Sequence, residues 1–273
     1  FMTRIFSLTS AQLLAVLLGI SLGLLSISAQ ADLLTSDDSI EAYEDNAPRL
    51  KRELKKQGIE WGAPVFFRIF KQQSQVELWL EKDNAFTRFR SYPICEMSGN
   101  LGPKLKQGDE QAPEGFYSVN QDWMWPFSSF HLAFNIRYPN AYDAAHGRTG
   151  NSIMVHGGCS SSGCFAMTDD KIEEIYVLAE AALKNGQDTF QVHVFPFPLT
   201  DENLAKYSKS RWHDFWQSLK PGYDYFEHHK RPPAVWVAEK AYQFGDVIPE
   251  DIAQMMADEE AAVAAIKADD DDD

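Results

Sequence analysis

The chain has little of three things, and each shortage closes off a class of function. Long apolar runs are scarce. Of 273 residues only Leu13 to Ile27 forms one, so no second segment is long enough to cross a bilayer. Basic charge is in deficit, with 25 Lys and Arg against 40 Asp and Glu and a formal net charge of -15. A surface of that sign repels phosphate backbones, so nucleic acid is not an expected partner. Part of the acidity sits in the terminal "ADDDDD", a solvated tail. Cysteine is sparse and odd in number: Cys95, Cys159 and Cys164. No Cys-x-x-Cys pair supports a zinc site, and an odd count leaves at least one thiol without a partner in the chain.

What is present begins with an export signal. Arg4, the apolar run and Ala29-Gln30-Ala31 form the charged start, core and small-residue cleavage site of a secretory signal peptide over residues 1–31. The mature chain is then expected to be soluble, without a membrane span, in an oxidising compartment. Residues 32–60 read as a polar lead ending in a basic amphipathic helix, "APRLKRELKKQG", stopped by Gly58 and showing a solvated face.

The period then changes. "PVFFRIF", "QVELWLE" and "AFTRFRSYPI" are β-branched and aromatic, and Val76, Leu78 and Leu80 alternate with polar residues as a half-buried strand requires. A turn-rich stretch and the strands "FYSV", "FHLAFNIRY" and "SIMVH" follow, a predominantly antiparallel region. "TDDKIEEIYVLAEAALKNG" is a helix, with Thr168 as N-cap and Asn185-Gly186 as its end. "TFQVHVFPF" is a further strand. A helical and strand extension over 201–248 packs on the main domain of residues 61–200, with Thr200 to Lys220 helical and "PPAVWVAEKAYQF" a strand pair. Residues 249–273 are an acidic helical tail.

The chemistry concentrates in "VHGGCSSSGCFAM", residues 155–167. His156 closes a strand. Cys164 follows Gly163, whose freedom of backbone lets the chain turn sharply and lets a carbonyl approach. The N–H groups of Gly163 and Cys164 then face a developing oxyanion, and the helix start and imidazole favour thiolate. Cys164 as nucleophile with His156 as its base is one reading. Two others stay open: structural thiols, with Cys159 paired to Cys95, and a metal cup of His156, Cys159 and Cys164. Arg148 is a candidate clamp for a substrate carboxylate, against a loop arginine satisfied by carbonyls. Ser160, Ser161 and Ser162 are either substrate contacts or tight-loop residues. Trp123, Trp125 and Phe127 form an aromatic wall near the groove or a buried cluster, while Lys104 and Lys106 read as a solvated turn. His193 reads as a core histidine, and His131 and His146 as structural or surface residues.

"MVHGGCSSSGCFAMTD" resembles the active-site signature of the L,D-transpeptidases, cysteine enzymes of peptidoglycan. "LGPKLKQGDEQAPEGFYSV", "HGRTGNSIMVHG" and "VHVFPFPLT" extend the resemblance over Pro64 to Leu199. It implies a mixed α/β, mainly β fold: a β-sandwich with helices packed outside. It places the general base on His156, base orientation on Gly157, and the oxyanion turn and nucleophile on Gly163 and Cys164. Two departures stand out. Ser162 occupies the place of a second histidine, and Ala166 that of a substrate-binding Arg or Asn. With its short His-to-Cys loop, the chain looks like a Gram-negative branch that includes hydrolases detaching lipoprotein from peptidoglycan. The resemblance thus implies a periplasmic enzyme that needs no metal or cofactor. Its partners would be peptidoglycan stem peptides and, for a hydrolase, peptidoglycan-linked outer-membrane lipoprotein.

Overall fold

The computed structural model of the chain describes residues 33–258; the expected signal peptide and the end of the acidic tail lie outside them. Helix α1 (Asp37–Gln57) leads into strands β1 (Val65–Phe70), β2 (Gln75–Lys82) and β3 (Ala85–Pro93). After β4 (Glu96–Met97) and a long loop come β5 (Gly115–Asn120) and the hairpin β6 (Met124–Ser128) and β7 (His131–Asn135). Helix α2 (Ala141–Ala145), β8 (Met154–His156), β9 (Phe165–Ala166), α3 (Asp169–Lys184) and β10 (Thr189–Phe195) follow. Helices α4 (Asp201–Lys206) and α5 (His213–His229) and the hairpin β11 (Ala234–Ala238) and β12 (Ala241–Gly245) come last, before a helical segment at 250–258.

Two five-stranded sheets, ordered β3-β2-β1-β10-β5 and β4-β9-β8-β7-β6, make the expected sandwich. Phe67, Ile69, Val76, Leu78, Leu80, Val192 and Val194 of the first share one buried cluster with Leu132, Phe134, Val155 and Phe165 of the second. Ile172, Ile175 and Tyr176 of α3 join it. The other face of the first sheet is also covered: Phe70, Phe116 and Phe195 pack with Trp216, Leu219 and Tyr223 of α5. This explains the unbroken "VFFRIF" of β1, since a strand buried on both faces loses its polar alternation. Arg68 is its one charged residue, and Nη1 donates to Glu227 Oε1 at 2.6 Å.

Three expectations change. Helix α1 begins at Asp37, ten residues and nearly three turns before the start of "APRLKRELKKQG". Ser36 and Ser39 form a reciprocal capping box, and Ala42, Ala47, Leu50 and Leu54 give it a buried stripe. Nor is its basic face simply solvated, because Arg49 donates to Glu174 on α3 at 2.5 Å. Antiparallel pairing does predominate as expected, with two parallel exceptions, β1 with β10 and β8 with β9. Thr168 precedes α3 but caps no N–H of it; its hydroxyl is taken by Asp170 and Lys171. The Thr200–Lys220 segment is two helices, and α5 runs on through Pro221 because its aromatic face is buried.

Candidate active site

The site is built by a short return between parallel neighbours. β8 pairs with β7 on one side (Ala133 opposite His156) and with β9 on the other (Val155 opposite Phe165). Parallel strands usually need a dozen or more connecting residues. Here residues 157–164 suffice, because Gly158, Cys159 and Gly163 take positive φ of 78°, 42° and 123°. At Gly163 the requirement is conformational, since a β-carbon would meet nothing closer than Gln111 O at 3.6 Å. At Gly157 it is steric. A β-carbon there would stand 2.5 Å from Asp169 Oδ1 and 2.9 Å from Phe130 O.

The three thiols divide cleanly. Cys95 and Cys159 form a disulfide, with Cα atoms 5.3 Å apart, that ties the loop to the residue before β4. Cys164 is free. The bridge takes Cys159 out of the His-Cys-Cys metal cup. Among the described residues no group of three or more His, Cys, Asp and Glu converges as a metal site.

His156 and Cys164 share a face of the second sheet. Val155 and Phe165 point together into the core, so their neighbours Met154, His156, Cys164 and Ala166 point the other way. Met154 N–H donates to Cys164 Sγ at 3.4 Å, which places the sulfur beside Met154, two residues along β8 from His156. Strand spacing and rise put the two α-carbons roughly 8 Å apart, and the thiol itself donates to Ser152 O at 3.6 Å. His156 Nδ1 donates to Gly157 O at 2.6 Å. A carbonyl only accepts, so the proton is on Nδ1 and Nε2 carries the lone pair. Phe130 lies over the imidazole, with ring centroids 4.9 Å apart.

Electrostatics reverse one expectation. Burial pushes the Cys164 thiol above its ordinary value, with the Met154 N–H and the charge of Lys104 pulling part of the way back. Burial also lowers His156, against its bond to Gly157. The helix start does not make a standing thiolate, because α3 begins only at Asp169, beyond β9. Both shifts act against a standing thiolate–imidazolium pair.

The turn at Gly163 is stapled by a residue that drew little notice in the sequence. Ser161 Oγ donates to Cys164 O at 2.7 Å and accepts from Gly163 N–H at 3.3 Å. Gly163 N–H is thus partly engaged. Ser162 is exposed beside it. Arg148 stands elsewhere than expected: it is 9% exposed and donates through Nη1 to Asp143 Oδ1 at 2.6 Å, inside a buried cluster with Tyr142 and Phe215. With its charge met there, it is not presented to a substrate carboxylate. Lys104 is the opposite correction. It is 4% exposed rather than solvated, with Nζ donating to Asp109 Oδ1 at 2.5 Å and to Lys106 O at 3.1 Å. Asp109 also accepts the N–H groups of Leu105, Lys106 and Gln111, and so folds this loop against the cysteine turn. His193 is fully buried among Phe66, Phe116 and Phe195, and Nε2 donates to Gln191 Oε1 at 2.8 Å.

Comparison with known proteins names this arrangement. The L,D-transpeptidase catalytic domain (YkuD) matches residues 68–194, a span that holds His156 and Cys164. YafK of Escherichia coli K12 is 42% identical over 205 residues, covering 75% of this chain and 82% of that protein. The chain belongs to the L,D-transpeptidase family. The YafK sequence of Escherichia coli O157:H7 gives the same figures. Among solved structures, the helical cell shape determining protein Pgp2 of Campylobacter jejuni aligns over 69% of this chain and 80% of its own, at 16% identity and a TM-score of 0.39. Bd1075 of Bdellovibrio bacteriovorus aligns over 67% and 84%, at 17% identity and a TM-score of 0.37. Among the described residues of this family member, no helix is long and apolar enough to cross a membrane.

Proposed function

We propose that the protein is an exported, periplasmic cysteine acyl-enzyme that acts on peptidoglycan stem peptides at the L-centre of diaminopimelate. The observation that carries this is the free thiol of Cys164 on the same sheet face as His156, whose Nε2 lone pair is set by the bond to Gly157. Nε2 takes the thiol proton as Sγ attacks the carbonyl carbon, so charge separates during the attack and not before it. The oxyanion rests on the N–H of Cys164, with Gly163 N–H as second donor when Ser161 yields it; one such donor is worth about 3 kcal/mol in the transition state. The carbon–nitrogen bond breaks, the imidazolium returns its proton to the leaving amine, and a thioester remains. Water or an acceptor amine then attacks the thioester, again losing its proton to Nε2, and Sγ leaves. Exposed Ser162 contacts the substrate. Water as acceptor gives hydrolysis, including release of lipoprotein linked to peptidoglycan; an amine gives a cross-link.

The second reading, a binding module with zinc on its His/Cys cluster, loses a ligand to the Cys95–Cys159 bridge. Intact mass after incubation with a carbapenem separates the two. The enzyme gains one covalent adduct, and Cys164→Ala gains none. An adduct that survives Cys164→Ala, or no adduct at all, defeats the proposal. Muropeptides and lipoprotein-linked sacculi, followed by mass spectrometry, then decide between new cross-links and release.

A further inference from the structure

We propose that the β6–β7 hairpin is a sugar-binding platform, on which Trp125, Phe127 and Phe130 seat the glycan of the same polymer whose peptide reaches Cys164. The inference rests on the function proposed above and adds a second contact to it.

Trp125, Phe127 and Phe130 are 44%, 56% and 45% exposed, large values for side chains of this kind. On β6 they alternate with buried Met124 and Pro126, so Trp125 and Phe127 share the outer face, with ring centroids 6.2 Å apart. Phe130 stands at the turn and covers His156, and Trp125 lies opposite Ala133, itself opposite His156, so the outer face of β6 is the sheet face that carries the imidazole. The third aromatic expected in this wall, Trp123, packs instead against the main core. Rings left this exposed forgo part of the stabilisation that burial would give, and a cluster of exposed apolar side chains usually marks binding.

The hairpin is braced so that the rings stay outward. Ser36 Oγ, at the head of α1, donates to Pro126 O at 2.8 Å. Phe130 N–H donates to Ser128 Oγ at 3.0 Å, and His131 Nε2 meets Glu173 Oε1 at 3.0 Å. A platform held from behind is organised before its ligand arrives.

Charge selects the occupant. Asp38 lies 3.7 Å from His131, Glu173 holds the same ring, and Asp169 Oδ1 accepts from Gly158 N–H at 2.8 Å. This acidic surround, on a chain of net charge -15, repels an anionic membrane surface. An uncharged ligand with apolar C–H faces and a polar rim suits it: a sugar ring stacks on the aromatic faces while its rim stays in water. Since the stem peptide hangs from such a chain of sugars, a platform touching His156 orients the peptide toward Cys164.

The test uses glycan strands stripped of peptide, their freed lactyl carboxylates amidated to keep the ligand uncharged, added to the Cys164→Ala protein and followed by tryptophan fluorescence and by co-sedimentation. Binding is expected, and Trp125→Ala/Phe127→Ala should weaken it about tenfold, equivalent to ~1.4 kcal/mol. Phe127→Ser, at a more exposed position, should weaken it in the same direction. Thermal unfolding checks that each variant is folded. With the active protein, the ratio of kcat/KM for glycan-linked over free stem peptide should exceed one and fall in the same variants. Unaltered glycan binding in the variants, or no binding in the parent, overturns the platform. So does aromatic-dependent binding to anionic phospholipid vesicles without glycan binding. A protein that binds stripped glycan yet turns over no stem peptide keeps the platform and loses the proposed function. Turnover without glycan binding or preference does the reverse.

Discussion

Lys71→Met is the sharpest probe of how the cysteine turn is held. Lys71 follows β1 and is 3% exposed; Glu114 is fully buried. Nζ donates to Gly102 O and Ala112 O, each at 2.8 Å, and meets Glu114 Oε1 at 3.1 Å. Glu114 also accepts Gly102 N–H at 2.7 Å and Trp216 Nε1–H at 2.7 Å. One ion pair therefore fastens the 99–114 loop to β1 and α5 at once. Burial lowers the Lys71 pKa, and Glu114 opposes that shift. Methionine keeps the length of the side chain but strands the Glu114 charge and two carbonyls. Removing one partner of a buried pair costs about 3–5 kcal/mol. At 2–4 °C per kcal/mol for a chain of this size, the unfolding midpoint should fall by roughly 6–20 °C. Calorimetry at neutral pH measures it. Lys71→Met/Glu114→Gln should recover part of the loss, because the amide no longer carries a buried charge. The same loop carries Lys104 and Asp109 to the cysteine turn, so carbapenem acylation well below the midpoint should slow as well. A midpoint within about 2 °C of the parent, less than 1 kcal/mol by the same conversion, would refute the reasoning. So would a double variant less stable than the single one.

Other outcomes follow from the same geometry. Because burial raises the Cys164 thiol and lowers the His156 imidazole, iodoacetamide alkylation of Cys164 should rise only in the alkaline limb; a plateau near neutral pH would mean a standing thiolate–imidazolium pair. The lowered His156 binds its proton later than the unfolded chain does. Its contribution to stability is thus complete above its ordinary value of 6.5 and is lost as pH falls through the lower folded value, which pH-dependent denaturant titration reads against a His156→Gln reference. Gly157→Ala must displace Asp169 and Phe130, at about 1–3 kcal/mol, and should slow acylation by tilting the imidazole; unchanged stability and rate would show that the loop gives way freely. Cys95→Ser/Cys159→Ser opens a covalent loop of 64 residues, worth about 4 kcal/mol by chain entropy, and urea titration should show that loss.

Much of the scaffold was legible because it is written locally. Helix α3 occupies Asp169–Lys184 as its apolar period and the Asn185-Gly186 stop require. β2 buries the alternating Val76, Leu78 and Leu80, and His156 ends its strand. The start of α1 is also written locally, in Ser36 and the acidic residues after it. What escaped depended on distant partners. Thr168 has the right chemistry for a cap, yet Asp170 and Lys171 compete for its hydroxyl. Arg148 looks available in "HGRTG" until Asp143 and the rings of Tyr142 and Phe215 enclose it.

The sequence by itself determined which residues crowd into the site, since His156, Gly157, Gly163 and Cys164 lie within nine positions and their spacing is covalent. The tertiary structure alone decided their state. It chose Cys95 as the partner of Cys159 across 64 residues, laid Phe130 on His156, and buried Lys104 beside the cysteine turn. A proton's affinity depends on how much water surrounds its group and which charges face it. Both are set by segments far away in the chain, so residue types alone did not reveal that burial shifts the thiol and the imidazole toward their uncharged forms.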